Sequence, residues 1–363
     1  MRFLYSRWDD ALMRQLKDMK SLMAMFNYLL LQVNGNVKLA LKLLRHLQKM
    51  GIVPAEYDID RFEKELEREG VIRWDGTGPN LTRKGERALR RDAFEQVFEH
   101  LKRSGPGDHK TAFGGGDSAE QLEEKRPYVY GDDLASLDLT GSLYNSIIHS
   151  GSLGLNLSED DLEVRDTAMN TSTATVVLLD ISHSMILYGE DRITPAKQVA
   201  MAFAEMIMTK YPHDCLNIVL FGDDAREVQV KDLPYVAVGP YMTNTKAGLQ
   251  MARNILLRRK NANKQIFMIT DGKPSMIVRD NGRVYKNPVG LDPVIVNRTL
   301  DEAIICRKKK IPITTFMITD DPYLQEFVRK LTELNRGRAY FSSAGNLGSY
   351  IFYDFMNHRR KNR

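Results

Sequence analysis

Residues 174–184 read Ala-Thr-Val-Val-Leu-Leu-Asp-Ile-Ser-His-Ser. Val176, Val177, Leu178 and Leu179 form a continuous apolar run, the pattern of a parallel strand covered on both faces. The run stops at Asp180, and Ser182 and Ser184 follow at alternate positions. A carboxylate and two hydroxyls then stand at the C-terminal end of a buried strand, the edge at which open α/β sheets place their ligands. Hard oxygens of this kind suit a divalent cation. Taken alone, Asp-x-Ser-x-Ser reads equally well as a turn or a helix cap.

From Thr171 onward, strand-like and helix-like segments alternate. Thr194-Pro195 predicts a helix start, with Thr as the cap and Pro in the first turn. Strands are expected at 215–221, 265–270, 311–319 and 339–342, with an antiparallel edge strand at 225–230. Helices are expected over 245–259, 293–308 and 323–335 and from Asn346. Asn281-Gly282 marks a hairpin inserted after Asp271. This alternation predicts an α/β fold with a doubly wound, mostly parallel sheet.

Two further segments share the chemistry of the first. Tyr241-Met-Thr-Asn-Thr precedes an amphipathic helix, and Phe267-Met-Ile-Thr-Asp-Gly272 is a second buried strand ending in an aspartate. Together the three segments resemble the metal-ion-dependent adhesion site of von Willebrand factor A domains, over roughly residues 172–357. The resemblance implies Asp180, Ser182 and Ser184 as metal ligands from the first motif, Thr243 from the second and Asp271 from the third. It implies Mg2+ as the ion, with Mn2+ or Ca2+ as alternatives, and a partner protein that supplies a Glu or Asp to an open coordination position. His183, between the two serines, reads as a solvent-facing loop residue, since imidazole suits magnesium poorly.

Enzyme chemistry finds little footing. There is no His-Glu-x-x-His, nucleophile elbow or Gly-x-x-x-x-Gly-Lys-Ser/Thr pattern. Asp223 and Asp224 are the spare carboxylates near the same sheet edge, and they read as turn caps. The expectation is a non-catalytic protein, with a metal-dependent hydrolase as the weaker alternative.

Residues 1–103 read as a mainly helical region. Leu12, Leu16, Met19, Met23, Phe26 and Leu30 give a helix over 9–33, and Val37, Leu41 and Leu44 give a second after Asn34-Gly35-Asn36. A helix over 60–69, a turn-rich loop at 75–80, then Leu81-Thr-Arg-Lys-Gly and helices to 91 and over 93–102 resemble the wing region of winged-helix domains. Arg83, Lys84, Arg87, Arg90 and Arg91 would meet phosphates, whereas the interspersed Glu63, Glu65, Glu67, Glu69 and Glu86 would repel them. A nucleic-acid-associated regulator is therefore the alternative function.

Gly-rich residues 104–125 read as a flexible linker. Residues 126–170 are expected to form a connector packing on the domain at 171–357, and 358–363 a basic tail. The connector is similar to the segment ahead of the A domain in bacterial proteins of the magnesium-chelatase D-subunit-like group. That resemblance implies an adaptor for an AAA+ ATPase of the MoxR or chelatase I-subunit type, in a chaperone-like or metal-insertion assembly. The chain lacks the acidic-proline linker and ATPase-like domain of true chelatase D subunits.

A net charge of +5 on 363 residues does not by itself call for nucleic acid. Two cysteines, Cys215 and Cys306, make no disulfide framework. The N-terminus lacks the apolar core of a secretory signal, and no run reaches the roughly 20 apolar residues of a membrane span. A cytoplasmic protein is expected.

Overall fold

The computed structural model describes residues 21–103 (Thr77 excepted), 125–128, 137–150, 157–165 and 172–361, apart from 190, 280, 288, 319–320 and 342–346. The linker expected over 104–125 lies outside these residues except at Lys125, as do the first helix before residue 21 and the tail at 362–363. The chain divides into two compact units, one drawn from Met1–Gly105 and Ser172–Asn357, the other from Pro106–Thr171 and His358–Arg363.

The first unit begins with α1 (Leu22–Gln32), α2 (Val37–Lys49) and α3 (Ile59–Arg68). Each helix starts where a short polar side chain accepts a backbone N–H: Ser21 from Ala24, Asn36 from Leu39 and Asp58 from Arg61. Strands β1 (Ile72–Asp75) and β2 (Gly78–Leu81) form an antiparallel hairpin, and α4 (Arg83–Arg103) follows. The sequence divides α4 into two helices. It is one helix of 21 residues, because Arg90-Arg91-Asp92 contains no breaker and its charged faces find partners. Arg90 pairs with Glu205, and Asp92 accepts from Asn27.

In the second unit, β3 (Lys125–Pro127) pairs antiparallel with β4 (Glu163–Arg165), and α5 (Leu139–Ser150) lies between them in sequence. Asp161 anchors this unit. Ser158 donates to its carboxylate through both N–H and hydroxyl, which holds the Asp161 carboxyl below its usual range.

The first unit resumes with β5 (Thr173–Asp180), buried at all eight positions. It is followed by α6 (Ile193–Lys210), β6 (Cys215–Phe221), β7 (Ala225–Val228), α7 (Thr245–Arg258) and β8 (Asn263–Thr270). A small hairpin, β9 (Met276–Val278) with β10 (Val284–Lys286), comes next. The chain then adds α8 (Pro293–Lys308), β11 (Ile313–Met317), α9 (Pro322–Asn335), β12 (Arg338–Phe341) and α10 (Leu347–Lys361).

The sheet order is β12-β11-β8-β5-β6-β7. Every pairing is parallel except that of the edge strand β7 with β6. This is the doubly wound α/β sheet that the alternation predicts. Successive residues of a strand face opposite sides, and the core divides accordingly. Val176 and Leu178 of β5 join Leu249, Leu300 and Val328 from α7, α8 and α9. Val177 and Leu179 join Phe203 of α6 and Phe352 of α10, and this second layer runs on into Phe26, Leu44 and Leu89 of the N-terminal helices. The N-terminal helices thus share a core with one face of the sheet layer. Aromatic edges carry the join: Phe94 of α4 meets Phe352, and Phe352 meets Phe203.

The helix cap expected at Thr194 is displaced. Helix α6 starts at Ile193, and the side chain that serves its first turn is Asp191, which accepts the Thr194 N–H at 3.0 Å. A carboxylate there answers the helix dipole better than a hydroxyl.

Candidate functional site

Asp180 ends the central strand with a fully buried carboxylate. The Ser182 N–H donates to its Oδ1 at 2.9 Å and the Thr270 hydroxyl to its Oδ2 at 2.6 Å. Ser182 and Ser184 share a hydrogen bond between hydroxyls of 3.0 Å, and Ser184 bonds the carboxylate of Asp271. Four of the five expected ligands therefore form one connected cluster. Thr243 is buried at the same edge and is held by its backbone: its N–H donates to Ser275 Oγ at 2.9 Å, and its carbonyl accepts from the N–H groups of Ser275 and Met276. Two positions earlier, the Tyr241 carbonyl accepts the His183 N–H at 3.1 Å. The three segments thus meet, although 91 positions separate Asp180 from Asp271.

The local backbone explains the approach. Gly272 has φ +93, and a Cβ there would lie 2.6 Å from Met317 Cε, so only glycine lets the chain turn directly after Asp271. The imidazole of His183 is exposed, as the sequence suggests. Asp224 accepts the neighbouring Ala225 N–H at 2.8 Å, as a turn cap would, whereas Asp223 reaches across to accept the Met242 N–H at 2.7 Å and ties its loop to the one carrying Thr243. Thr270 and Ser275 are the functional-site residues that sequence reasoning missed. Thr270 lies one position before Asp271 and in sequence reads as one more β-branched strand residue.

The electrostatics are those of two carboxylates crowded out of water. Burial first, and the charge of Asp271 second, push the Asp180 carboxyl up to about 7 against its bonds from Ser182 and Thr270. Burial also pushes Asp271 up, opposed by the Ser184 hydroxyl, the Lys273 N–H and the charges of Arg192 and Lys273. Asp271 Oδ1 is buried and has no hydrogen-bond partner. Buried polar atoms are normally satisfied, so an orphaned carboxylate oxygen beside a second carboxylate calls for positive charge.

The donor set fits a hard cation: two carboxylates and three hydroxyls, with no nitrogen or sulfur. Among the described residues, no group of three or more His, Cys, Asp or Glu side chains is placed to hold a metal. A cation here would rely on the hydroxyls. No helix of the described residues is long and apolar enough to cross a membrane.

Comparison with known proteins agrees with this architecture. A family profile described as "Rv0959-like protein, vWA domain" matches residues 173–356, and one described as "Rv0959-like protein, third domain" matches residues 120–167. The chain is 26% identical over 329 residues to proteins Rv0959 of Mycobacterium tuberculosis H37Rv and Mb0984 of Mycobacterium bovis, covering 88% of this chain and 48% of each relative. The chain thus spans about half the length of the curated relatives it matches. Among solved structures, the pilus adhesin SpaC of Lactobacillus rhamnosus GG is similar at 15% identity, covering 53% of this chain and 30% of that one, with a TM-score of 0.42. BatB of Bacteroides thetaiotaomicron is similar at 13% identity, with 52% and 100% covered and a TM-score of 0.39. The vWF domain of the type V pili tip protein Mfa5 of Porphyromonas gingivalis is similar at 14% identity, with 53% and 95% covered and a TM-score of 0.41. With the vWA profile spanning half of its residues, this chain belongs to the Rv0959-like vWA-domain family.

Proposed function

We propose that the chain is a non-catalytic adaptor that recognises a partner protein through a metal-ion-dependent adhesion site holding Mg2+, with Mn2+ or Ca2+ as substitutes. Asp180, Ser182, Ser184, Thr243 and Asp271 would hold the ion, and a Glu or Asp of the partner would complete its coordination. The observation that carries this reading is the Asp271 carboxylate: Ser184 bonds it, Asp180 lies in charge contact with it, and its buried Oδ1 is left without a hydrogen-bond partner. When bound, the ion supplies a charge that a carboxylate can bridge. The protein's part is to exclude water from Asp180 and hold the two serine hydroxyls beside Asp271, with the exposed His183 between them. Few charged ligands would leave the ion electrophilic toward a partner carboxylate.

The partner we propose is an AAA+ ATPase of the MoxR or chelatase I-subunit type, which goes with a cytoplasmic site of action. This part rests on the resemblance of the connector and A domain to the chelatase D-like group. The spare carboxylates expected at this edge are engaged elsewhere, Asp223 by the Met242 N–H and Asp224 by the Ala225 N–H, and we read the cluster as a binding site.

The test is a pull-down from native lysate with wild type in Mg2+, wild type in EDTA, and Ser182→Ala in Mg2+. An ATPase captured in the first condition alone is the expected result. The same partners in all three conditions would remove the metal from the mechanism.

A further inference from the structure

Lys197, on α6, is fully buried. Its ammonium donates to three oxygens: the Leu31 carbonyl at 2.6 Å, Asn34 Oδ1 at 3.0 Å and the Val236 carbonyl at 3.0 Å. An ammonium has three donors, and all three are used. The acceptors come from two places far apart in sequence. Leu31 and Asn34 lie at the C-terminal end of α1 and in the turn to α2. Val236 follows a two-turn 3-10 segment, Val230–Tyr235. An apolar side chain would fill the same space without the cost of burying a charge, so the lysine is there to tie these pieces together.

Two further contacts act on the same segment. The Tyr235 ring lies against the backbone of Gly35, where φ is +77 and an added Cβ would sit 2.3 Å from Tyr235 Cδ1. The Tyr235 hydroxyl donates to Glu86 Oε1 of α4 at 3.0 Å. Leu233 and Val236 are buried in the core shared with the N-terminal helices. Residues 230–236 are thus gripped from both sides by the N-terminal helices and α6.

Beyond the grip, residues 239–243 run straight into the candidate metal site. Gly239 N–H donates to the Ile181 carbonyl, Tyr241 accepts from His183, and Thr243 bonds Ser275. We infer that Lys197, Tyr235 and Gly35 form a clasp through which the N-terminal helices position the loop carrying Thr243, making them positioning residues for the cation site. The inference rests on the metal-site reading for its consequence and on the clasp geometry alone for its mechanics. Loosening the clasp leaves the other four ligands, which sit on the sheet edge, in place. The site should weaken rather than vanish.

The test uses the full chain, Mn2+ as the probe in isothermal titration calorimetry, and hydrogen exchange followed by mass spectrometry. The variants are Lys197→Met and Tyr235→Ala. The second keeps the test open if the first does not fold, because Tyr235 is 43% exposed. Thr243→Ala serves as the reference for loss of the loop's ligand. The expected result is Mn2+ affinity weakened about three- to tenfold, with faster exchange over 237–243 and unchanged exchange in α9 and β12. A folded Tyr235→Ala protein with wild-type affinity and wild-type exchange over 237–243 would overturn the inference. If wild type and Thr243→Ala both fail to bind Mn2+, the metal reading falls. The exchange data then decide the clasp alone: faster exchange over 237–243 upholds it, and unchanged exchange overturns it.

Discussion

Replacing Asp271 by Asn in protein stripped of cations should make the fold more stable, not less. Asp180 and Asp271 are 0% and 3% exposed and repel one another at neutral pH. Asp180 titrates near 7 in the native state, from an ordinary value of 3.8. Between those two values the native protein holds a proton that the unfolded chain has released. Native stability therefore falls as pH rises through that window, and the full penalty stands above it. A displacement of this size corresponds to about 4 kcal/mol, of which burial is the larger part. The charge of Asp271 is the next contributor. Asparagine keeps the acceptor for Ser184 and the Lys273 N–H but loses the attraction of Arg192 and Lys273, so a net gain of about 1 kcal/mol is expected. Urea unfolding in EDTA at pH 8 measures it. At pH 5 the gain should largely disappear, since Asp180 is then protonated in the native wild type. With saturating Mg2+ the order should reverse, because wild type gains binding energy that the variant does not. An Asp271→Asn protein less stable than wild type by about 1 kcal/mol or more in EDTA at pH 8 would refute the charge argument.

Asp354→Ala should cost about 3–5 kcal/mol in urea unfolding. It strands Arg338, which donates to the buried carboxylate through two nitrogens, and Tyr340, whose hydroxyl donates to it at 2.9 Å; the 25% exposure of the Arg338 side chain favours the lower end. Gly272→Ala should destabilise by about 1–3 kcal/mol through its left-handed φ and the Met317 contact, and it should lower Mn2+ affinity in calorimetry because it displaces Asp271. Asn335→Leu should cost about 2–4 kcal/mol and speed amide exchange at Ile313, because the Asn335 side chain accepts the Ile313 N–H at 2.7 Å and donates to the Ala303 and Ile311 carbonyls.

The sheet was legible because its strands are unambiguous in composition. The run Val176–Leu179 admits few placements other than a central one, and the alternation after it fixes the winding. The cluster was legible for the same reason: Asp180 and Asp271 end apolar strands, where a carboxylate has no packing role. What stayed hidden depends on partners remote in sequence. Lys197, in Thr-Pro-Ala-Lys-Gln, looks like any helix-surface lysine, since nothing near it announces that Leu31, Asn34 and Val236 will surround its ammonium. Thr270 reads as a β-branched strand residue until Asp180 is found 2.6 Å from its hydroxyl. The cap at α6 was misplaced because Thr194-Pro195 is a strong local signal, while Asp191 wins by standing just outside the first turn. The apolar run of α1 and the apolar positions of α4 say that something must cover them, but not that α6 and α10 do so.

The core shared by the N-terminal helices and the sheet's outer layer also sets an order of events during synthesis. Helices α1 to α4 leave the ribosome before the sheet does, with Leu30, Phe94 and Val97 meant for a surface that does not yet exist. Phe203 arrives about a hundred residues later, and Phe352 and Phe355 about 250 residues later. At about 5–20 residues per second, that face waits about 10–50 seconds for its cover. The nascent chain is therefore an aggregation risk and a natural client for holding chaperones. A fragment ending before α10 would carry that exposure permanently.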